Sequence, residues 1–179
     1  MTDQVTGARI LVADDQTDVA RTLCSPLHKA GAQLRFVPDG QTALAEIATR
    51  SIDLIIVDMK MPPEEWGGLW LLRRLSLDGW RIPTLVLSGE GSKQQVIEAM
   101  RLGSADWIDK DAAGEELLGR CTHILRDRLE QSLQLASTHL PTPSRSASPD
   151  TRGPPTQTNR SPKVSTRWKP YSVSQPRSA

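Results

Sequence analysis

Acidic, hydroxyl and ammonium side chains follow short apolar runs at four separate places in the chain. In chain order they are Asp14 with Asp15, then Asp58, Ser88 and Lys110. Carboxylates held close together repel one another unless a cation neutralises them, and an all-oxygen ligand set suits a hard ion such as Mg²⁺. A carboxylate beside such an ion can attack a phosphoryl group, whose oxygens the hydroxyl and ammonium groups can hold. These residue types therefore predict phosphoryl transfer to Asp58 at a magnesium site.

The apolar runs that precede these residues predict the strands that must position them. They cover residues 9–13, 33–37, 52–57, 83–87 and 105–108. Helix-like segments separate the runs, and this alternation predicts β-α units around a parallel sheet covered on both faces. Ligands of such sheets gather beyond the carboxyl ends of the strands, so the polar residues are expected to meet in one pocket.

Helices are predicted over residues 18–30, 41–49 and 69–77, followed by one that Ser92 caps and Gly103 ends. Pro26 removes a backbone donor inside the first helix and should kink it. From Glu115 onward, apolar residues recur every three or four positions as far as Leu140. The last helix either extends along this stripe or ends near Arg128, and the sequence leaves both alternatives open.

Charge divides the chain into two parts. Residues from Leu140 onward carry seven cations against Asp150, a charge of +6, whereas the whole chain carries +1 and residues 1–139 therefore carry −5. The basic end is rich in Pro, Ser and Thr, so we predict a disordered tail over 140–179. Its Arg167–Tyr171 stretch mixes cations with aromatic rings, which suits nucleic acid, a membrane surface or an acidic partner, although a solvated tail is the simpler interpretation.

The remaining composition predicts a cytoplasmic protein with no membrane span. Cys24 and Cys121 are too few for a disulfide framework and are expected to be reduced thiols. The three histidines lack the spacing of metal ligands and are interpreted as surface residues. No apolar run approaches the roughly 20 residues that cross a bilayer.

Four motifs together resemble the response-regulator receiver family of two-component phosphorelay systems. They are residues 10–15 (ILVADD), 58–62 (DMKMP), 83–89 (PTLVLSG) and 103–110 (GSADWIDK). Their order, their positions at strand ends and their separations agree with that family over about residues 8–126. The resemblance implies a flavodoxin-like, doubly wound five-stranded parallel sheet with helices on both faces, (βα)5.

The resemblance also implies a role for each matching residue. Asp58 would be the phosphoacceptor, Lys110 would pair with the phosphoryl oxygens, and Ser88 would hydrogen-bond to them. Asp14, Asp15 and Asp58, with the backbone carbonyl of Lys60, would hold Mg²⁺, and Ser88 and Trp107 would be the switch residues. The donor would be a phosphohistidine of a histidine kinase or a histidine phosphotransfer protein. Phosphorylation would bias a surface formed by helix four, strand five and helix five.

Three residues or segments depart from the family pattern. Asp111 stands where the family usually has proline after the lysine, so we expect a trans turn there and Asp111 as a cap of the last helix. The loop after Asp58 is about two residues longer than usual, since Gly68 best matches the family glycine. Trp107 replaces the commoner Tyr or Phe. We also predict that Lys60 pairs with Glu90 and shields the acyl phosphate from water.

We expect a domain over 8–126, a helix extension over 127–139 and a stand-alone receiver that is not itself an enzyme. Its output would be contact with an unknown protein, relay to another phosphotransfer protein or homodimerisation along the extended last helix, without direct DNA binding. Two other functions compete with this one. A phosphohydrolase of the haloacid dehalogenase type also uses Asp, Ser or Thr, Lys and Mg²⁺, but its nucleophile comes first in the chain. A binding module that is never phosphorylated would retain only the scaffold.

Overall fold

Strands and helices alternate along the part of the chain that the computed structural model describes, residues 4–89 and 93–138. The strands are β1 Arg9–Ala13, β2 Gln33–Val37, β3 Leu54–Asp58, β4 Thr84–Ser88 and β5 Asp106–Asp109. The helices are α1 Thr17–Leu23, α2 Ser25–Lys29, α3 Gly40–Thr49, α4 Gly67–Leu77, α5 Lys93–Arg101 and α6 Lys110–Thr138.

The five strands form one sheet in the order β2-β1-β3-β4-β5, and every neighbouring pair is parallel. β3 and β4 are buried along their whole length, whereas the edge strand β2 alternates between exposed and half-buried residues before the buried Val37. This arrangement confirms the predicted doubly wound parallel sheet. Since all strands run the same way, their carboxyl ends lie at one edge of the sheet.

Each face of the sheet has its own apolar core. Ile10, Leu54 and Leu85 pack with α1, α2 and α6 on one face. Leu11 and Ile55, the next residues along β1 and β3, pack with α3, α4 and α5 on the other. Because successive side chains of a strand point to opposite faces, continuous apolar runs are what a sheet covered on both faces requires.

The predicted first helix is divided into α1 and α2. Cys24 lies between them, and Pro26 occupies the first turn of α2, where its missing backbone N–H costs no helical hydrogen bond. The predicted kink is therefore a break. The later helices of the prediction, helix four and helix five, are α5 and α6 in this numbering.

Several predicted boundaries differ from the structure. Asp58, Ser88 and Asp109 are the last residues of their strands rather than the first residues after them. α6 begins at Lys110, and the backbone N–H of Asp111 donates to Oδ1 of Asp109 at 3.0 Å. The prediction that Asp111 caps this helix is therefore wrong, because Asp109 accepts that bond. α6 runs to Thr138 without a break at Arg128.

Some predictions fall on parts of the chain that are not described. They are the Ser92 cap, the Glu90 partner of Lys60 and the basic tail over 140–179. Among the helices of residues 4–89 and 93–138, none is long and apolar enough to cross a membrane.

Candidate functional site

The carboxyl edge of the sheet brings together residues that are far apart in the sequence. Asp14 and Asp15 directly follow β1, Asp58 ends β3, and Lys110 directly follows β5. Oxygen atoms of the three carboxylates lie within 4.8 Å of one another. We call Asp14, Asp15 and Asp58 the carboxylate cluster. Asp14 and Asp58 are buried, whereas Asp15 is exposed, so solvent reaches the cluster from the Asp15 side.

Lys110 supplies positive charge to this cluster. Its Nζ donates to Oδ2 of Asp14 at 2.8 Å and lies 3.2 Å from Oδ1 of Asp58. The second oxygen of Asp14 accepts a hydrogen bond from the backbone N–H of Gln16 at 2.8 Å. Both oxygens of Asp14 are therefore engaged, which fixes the orientation of this carboxylate. The Lys110–Asp14 bond joins positions 96 residues apart, and the sequence prediction did not include it.

The surroundings of Asp58 shift its pKa upward from the usual range of a carboxyl group. Burial raises the pKa of Asp58 to about 6, and the negative charges of Asp14 and Asp15 act in the same direction, although Lys110 opposes them. Burial lowers the pKa of Lys110, but the hydrogen bond to Asp14 and the charge of Asp58 raise it more, so its pKa is raised overall. Lys110 therefore stays charged and only partly compensates the acidic groups.

The donor set fits a hard divalent cation. Three carboxylate groups converge, and Lys110 is the cation that contacts them among the described residues. One ammonium group cannot neutralise three carboxylates when all are ionised. Oxygen ligands of this kind suit Mg²⁺ better than softer metals, so the residues present are compatible with the predicted ion.

Two glycines let the loop after Asp58 fold back against the end of β3. A Cβ atom on Gly68 would lie 2.5 Å from the carbonyl oxygen of Asp58, and one on Gly67 would lie 1.9 Å from that of Met61. Both distances are too short for real Cβ contacts. Gly68 was singled out from the sequence, whereas Gly67 was missed. A double glycine at the start of an apolar helical run was the available signal for such a close approach.

The other predicted site residues lie at or near the same edge. Ser88 is buried at the end of β4 and pairs in register with Asp109 of β5. Lys60 is exposed in the loop after Asp58, with its Nζ 5.7 Å from the ring centroid of Trp66. Trp107 lies in β5 and packs on the core that contains α5, and its buried Nε1 has no hydrogen-bond partner among the described residues.

Comparison with known proteins identifies the family. The model of the response regulator receiver domain matches residues 10–122, more than half of the chain. Response regulator MprA of Mycolicibacterium vanbaalenii is 35% identical over 118 residues, which are 66% of this chain and 50% of that protein. The phosphate regulon transcriptional regulatory protein PhoB of Pseudomonas aeruginosa is 31% identical over 122 residues, 67% of this chain and 52% of that protein. The chain thus spans about half the length of these curated relatives.

A solved structure supports the same assignment. The receiver domain of a Francisella response regulator superposes with a TM-score of 0.61 at 30% identity, covering 69% of this chain and 99% of that chain. That similarity and the family match both cover the part of the chain that contains the carboxylate cluster. The chain therefore belongs to the response regulator receiver domain family of two-component signalling.

Proposed function

We propose that this receiver accepts a phosphoryl group on Asp58 from a phosphohistidine of a histidine kinase or a histidine phosphotransfer protein. The observation that carries the proposal is the meeting of Asp14, Asp58 and Lys110 at one edge of the sheet, with the Lys110 ammonium 3.2 Å from Asp58. A buried carboxylate beside a fixed cation is a suitable nucleophile for a transferring phosphoryl group.

Asp14, Asp15, Asp58 and the backbone carbonyl of Lys60 would hold Mg²⁺. Bound there, the ion would offset the negative charge of the carboxylates and of the incoming phosphoryl oxygens. Asp14 is already oriented for this by Gln16 and Lys110. Asp15 is exposed at the mouth of the cluster, so it can reach an ion that arrives from solvent.

In the transfer, an oxygen of Asp58 forms a bond to phosphorus while the bond from phosphorus to the donor's histidine nitrogen breaks. The electron pair of that broken bond stays on the imidazole. Lys110 keeps its proton and pairs with the phosphoryl oxygens, exchanging one anionic partner for another. Ser88, at the end of the neighbouring strand, hydrogen-bonds to the same oxygens.

Phosphorylation would then change the surface formed by α5, β5 and α6. The buried Nε1 of Trp107 has no partner among the described residues, and an unsatisfied buried donor costs about 1–3 kcal/mol. A second orientation that satisfied this donor would recover that cost, which would favour a change of rotamer as a switch requires. Ile97 and Met100 of α5 are about half exposed and share one helix face, so they are suited to contact an output protein or a second copy.

Burial along α6 supports the proposed C-terminal limit of the receiver. Ile124 and Leu125 are buried, whereas Leu129 and Leu133 are exposed. We therefore propose 8–126 as the receiver domain, 127–139 as an extension of its last helix and 140–179 as a separate basic segment. The stand-alone organisation, the absence of direct DNA binding and the cytoplasmic location stay predictions.

The proposal is tested by intact mass of the full chain after incubation with acetyl phosphate and Mg²⁺. We expect the wild type to gain one phosphoryl group and Asp58→Asn to gain none. Asp18→Asn is the matched control, because Asp18 is an exposed aspartate in the first turn of α1 and should leave labelling unchanged. Labelling of Asp58→Asn, or no labelling of the wild type, would contradict the proposal.

A further inference from the structure

Three arginines surround one cavity at the opposite edge of the sheet from the carboxylate cluster. Arg9 begins β1, Arg35 lies in the edge strand β2, and Arg50 follows α3. The cavity has a volume of about 390 Å³ and is also lined by Leu34 and Ile52. We call these five residues and the space between them the arginine cavity. It has no part in the phosphoryl chemistry at Asp58.

Carboxylates hold the three guanidinium groups in place. Arg9 donates to Asp53 through Nε and a terminal nitrogen, both at 2.9 Å. Nε of Arg35 and Nε of Arg50 lie 2.5 and 2.7 Å from the same oxygen of Glu46. A guanidinium that is fixed by one partner loses less conformational entropy when it binds a second.

The arginine cavity has more positive than negative charge. Three guanidinium groups are paired with the two carboxylates Asp53 and Glu46, because Arg35 and Arg50 share Glu46. Each guanidinium has five N–H donors, and a fork to one carboxylate uses two of them. The arginine side chains are about half exposed, so the remaining donors are accessible. One excess cation and several free donors suit an anionic ligand.

The shape and lining of the cavity narrow the class of ligand. Forked N–H donors match the oxygens of a phosphate group, and the half-buried Leu34 offers apolar surface to the rest of the molecule. Cavities of roughly 300–1,000 Å³ hold small molecules rather than whole protein elements. We propose that the arginine cavity binds a small phosphomonoester whose phosphate is joined to a planar or apolar body, such as a nucleoside monophosphate.

The test is a titration of the full chain in metal-free buffer with adenosine 5′-monophosphate, followed by NMR of the arginine Nε–Hε signals. We expect saturable shifts at Arg9, Arg35 and Arg50, and none with adenosine, which lacks the phosphate. Inorganic phosphate should bind more weakly than the nucleotide, because it has no body to contact Leu34. Binding should weaken as the salt concentration rises.

Arg35→Gln and Arg50→Gln should each reduce the affinity by at least about tenfold, since hydrogen bonds between ionised groups are the strong ones. Either variant leaves Glu46 one arginine partner, so both are expected to fold. Arg120→Gln is the matched control, because Arg120 is equally exposed and pairs with two carboxylates but does not line the cavity. It should leave the affinity unchanged.

Four results would overturn the proposal. The first is the lack of a saturable shift at the three arginines. The others are binding of adenosine or of inorganic phosphate as tight as that of the nucleotide, and a loss of affinity in Arg120→Gln equal to that in Arg35→Gln and Arg50→Gln. Retention of the chain by phosphatidylglycerol vesicles, without competition by the nucleotide, would also overturn it in favour of a membrane surface.

Discussion

The ammonium of Lys110 lies closer to Asp14, at 2.8 Å, than to Asp58, at 3.2 Å. Lys110 therefore connects the end of β5 to the residue after β1 across the strands between them. The same contact compensates the charge of two buried carboxylates. Its removal should consequently affect stability as well as chemistry.

Lys110→Ala should lower the free energy of unfolding in metal-free buffer by about 1–3 kcal/mol, because Asp14 and Asp58 lose their cation partner. Added Mg²⁺ should stabilise this variant more than the wild type, since the ion would replace the missing positive charge. Urea unfolding with and without Mg²⁺ measures both effects. Lys29→Ala, at an exposed position of α2, is the control. Equal midpoints for Lys110→Ala and the wild type would refute the compensating role of Lys110.

Gly68→Ala should destabilise the protein by about 1–3 kcal/mol and slow the phosphorylation of Asp58. The added Cβ would lie 2.5 Å from the carbonyl oxygen of Asp58, so the end of β3 or the start of α4 must move. Gly114→Ala provides the opposite case, because a Cβ at this α6 position meets nothing within 4 Å. It should raise stability by about 0.5–1 kcal/mol through helix propensity. Thermal unfolding measures the stability of both variants. A loss of stability in Gly114→Ala equal to that in Gly68→Ala would contradict the prediction.

Arg128→Ala should loosen α6 beyond the buried Leu125. The guanidinium of Arg128 donates to the backbone carbonyls of Ile52 and Asp53, which tethers this part of the helix to the segment before β3. Hydrogen exchange should therefore become faster over residues 128–138. Arg126→Ala is the control, since Arg126 forms ion pairs with its α6 neighbours Asp127 and Glu130. Unchanged exchange in Arg128→Ala would show that the tether does not hold the helix.

The free energy of unfolding should decrease as the pH rises above about 8.5, the usual pKa of a cysteine in an unfolded chain. Burial raises the pKa of the Cys24 thiol to about 12, and the charge of Asp14 adds to the shift, while burial also raises the pKa of Cys121. Both thiols therefore stay protonated in the folded state and ionise on unfolding. Each contributes a slope of up to about 1.4 kcal/mol per pH unit over this range.

Urea unfolding at pH 7 to 10 in reducing buffer measures that slope. Cys121→Ala should lower the stability at every pH but show a shallower decline, since one ionising group is absent. A decline as steep as that of the wild type would exclude the Cys121 thiol as one of its causes. Slow alkylation of the folded chain is the second readout, because both thiols are fully buried.

The sequence predicted β1 and β2 with their observed limits, because each run starts at a polar residue, Arg9 or Gln33, and stops before a residue that interrupts it, Asp14 or Pro38. The predicted limits of β3, β4 and β5 differ from the observed limits. Asp58 and Ser88 still pair in register, with Leu87 and Asp109, although their side chains are polar, so hydrophobicity alone ends these strands too early. The cap of α6 was assigned to Asp111 instead of Asp109, since two nearby aspartates compete for the same helix start.

The types of the site residues could be predicted, but their mutual contacts could not. The carboxylate cluster follows from strand ends that share one edge of the sheet. The Lys110–Asp14 contact depends on strand order and on side-chain conformations, neither of which a local pattern contains. The proposed pair of Lys60 with Glu90 stays a prediction, because Glu90 lies outside the described residues.

The middle strand of the sheet has a mechanical consequence for the site. Leu54 and Ile56 of β3 pack in one core, whereas Ile55 and Val57 pack in the other. Close-packed interiors compress little, so a displacement of Asp58 along the strand axis must push on both helical layers together. A force applied at this one carboxylate would be divided between the two sides of the molecule before it reached any surface.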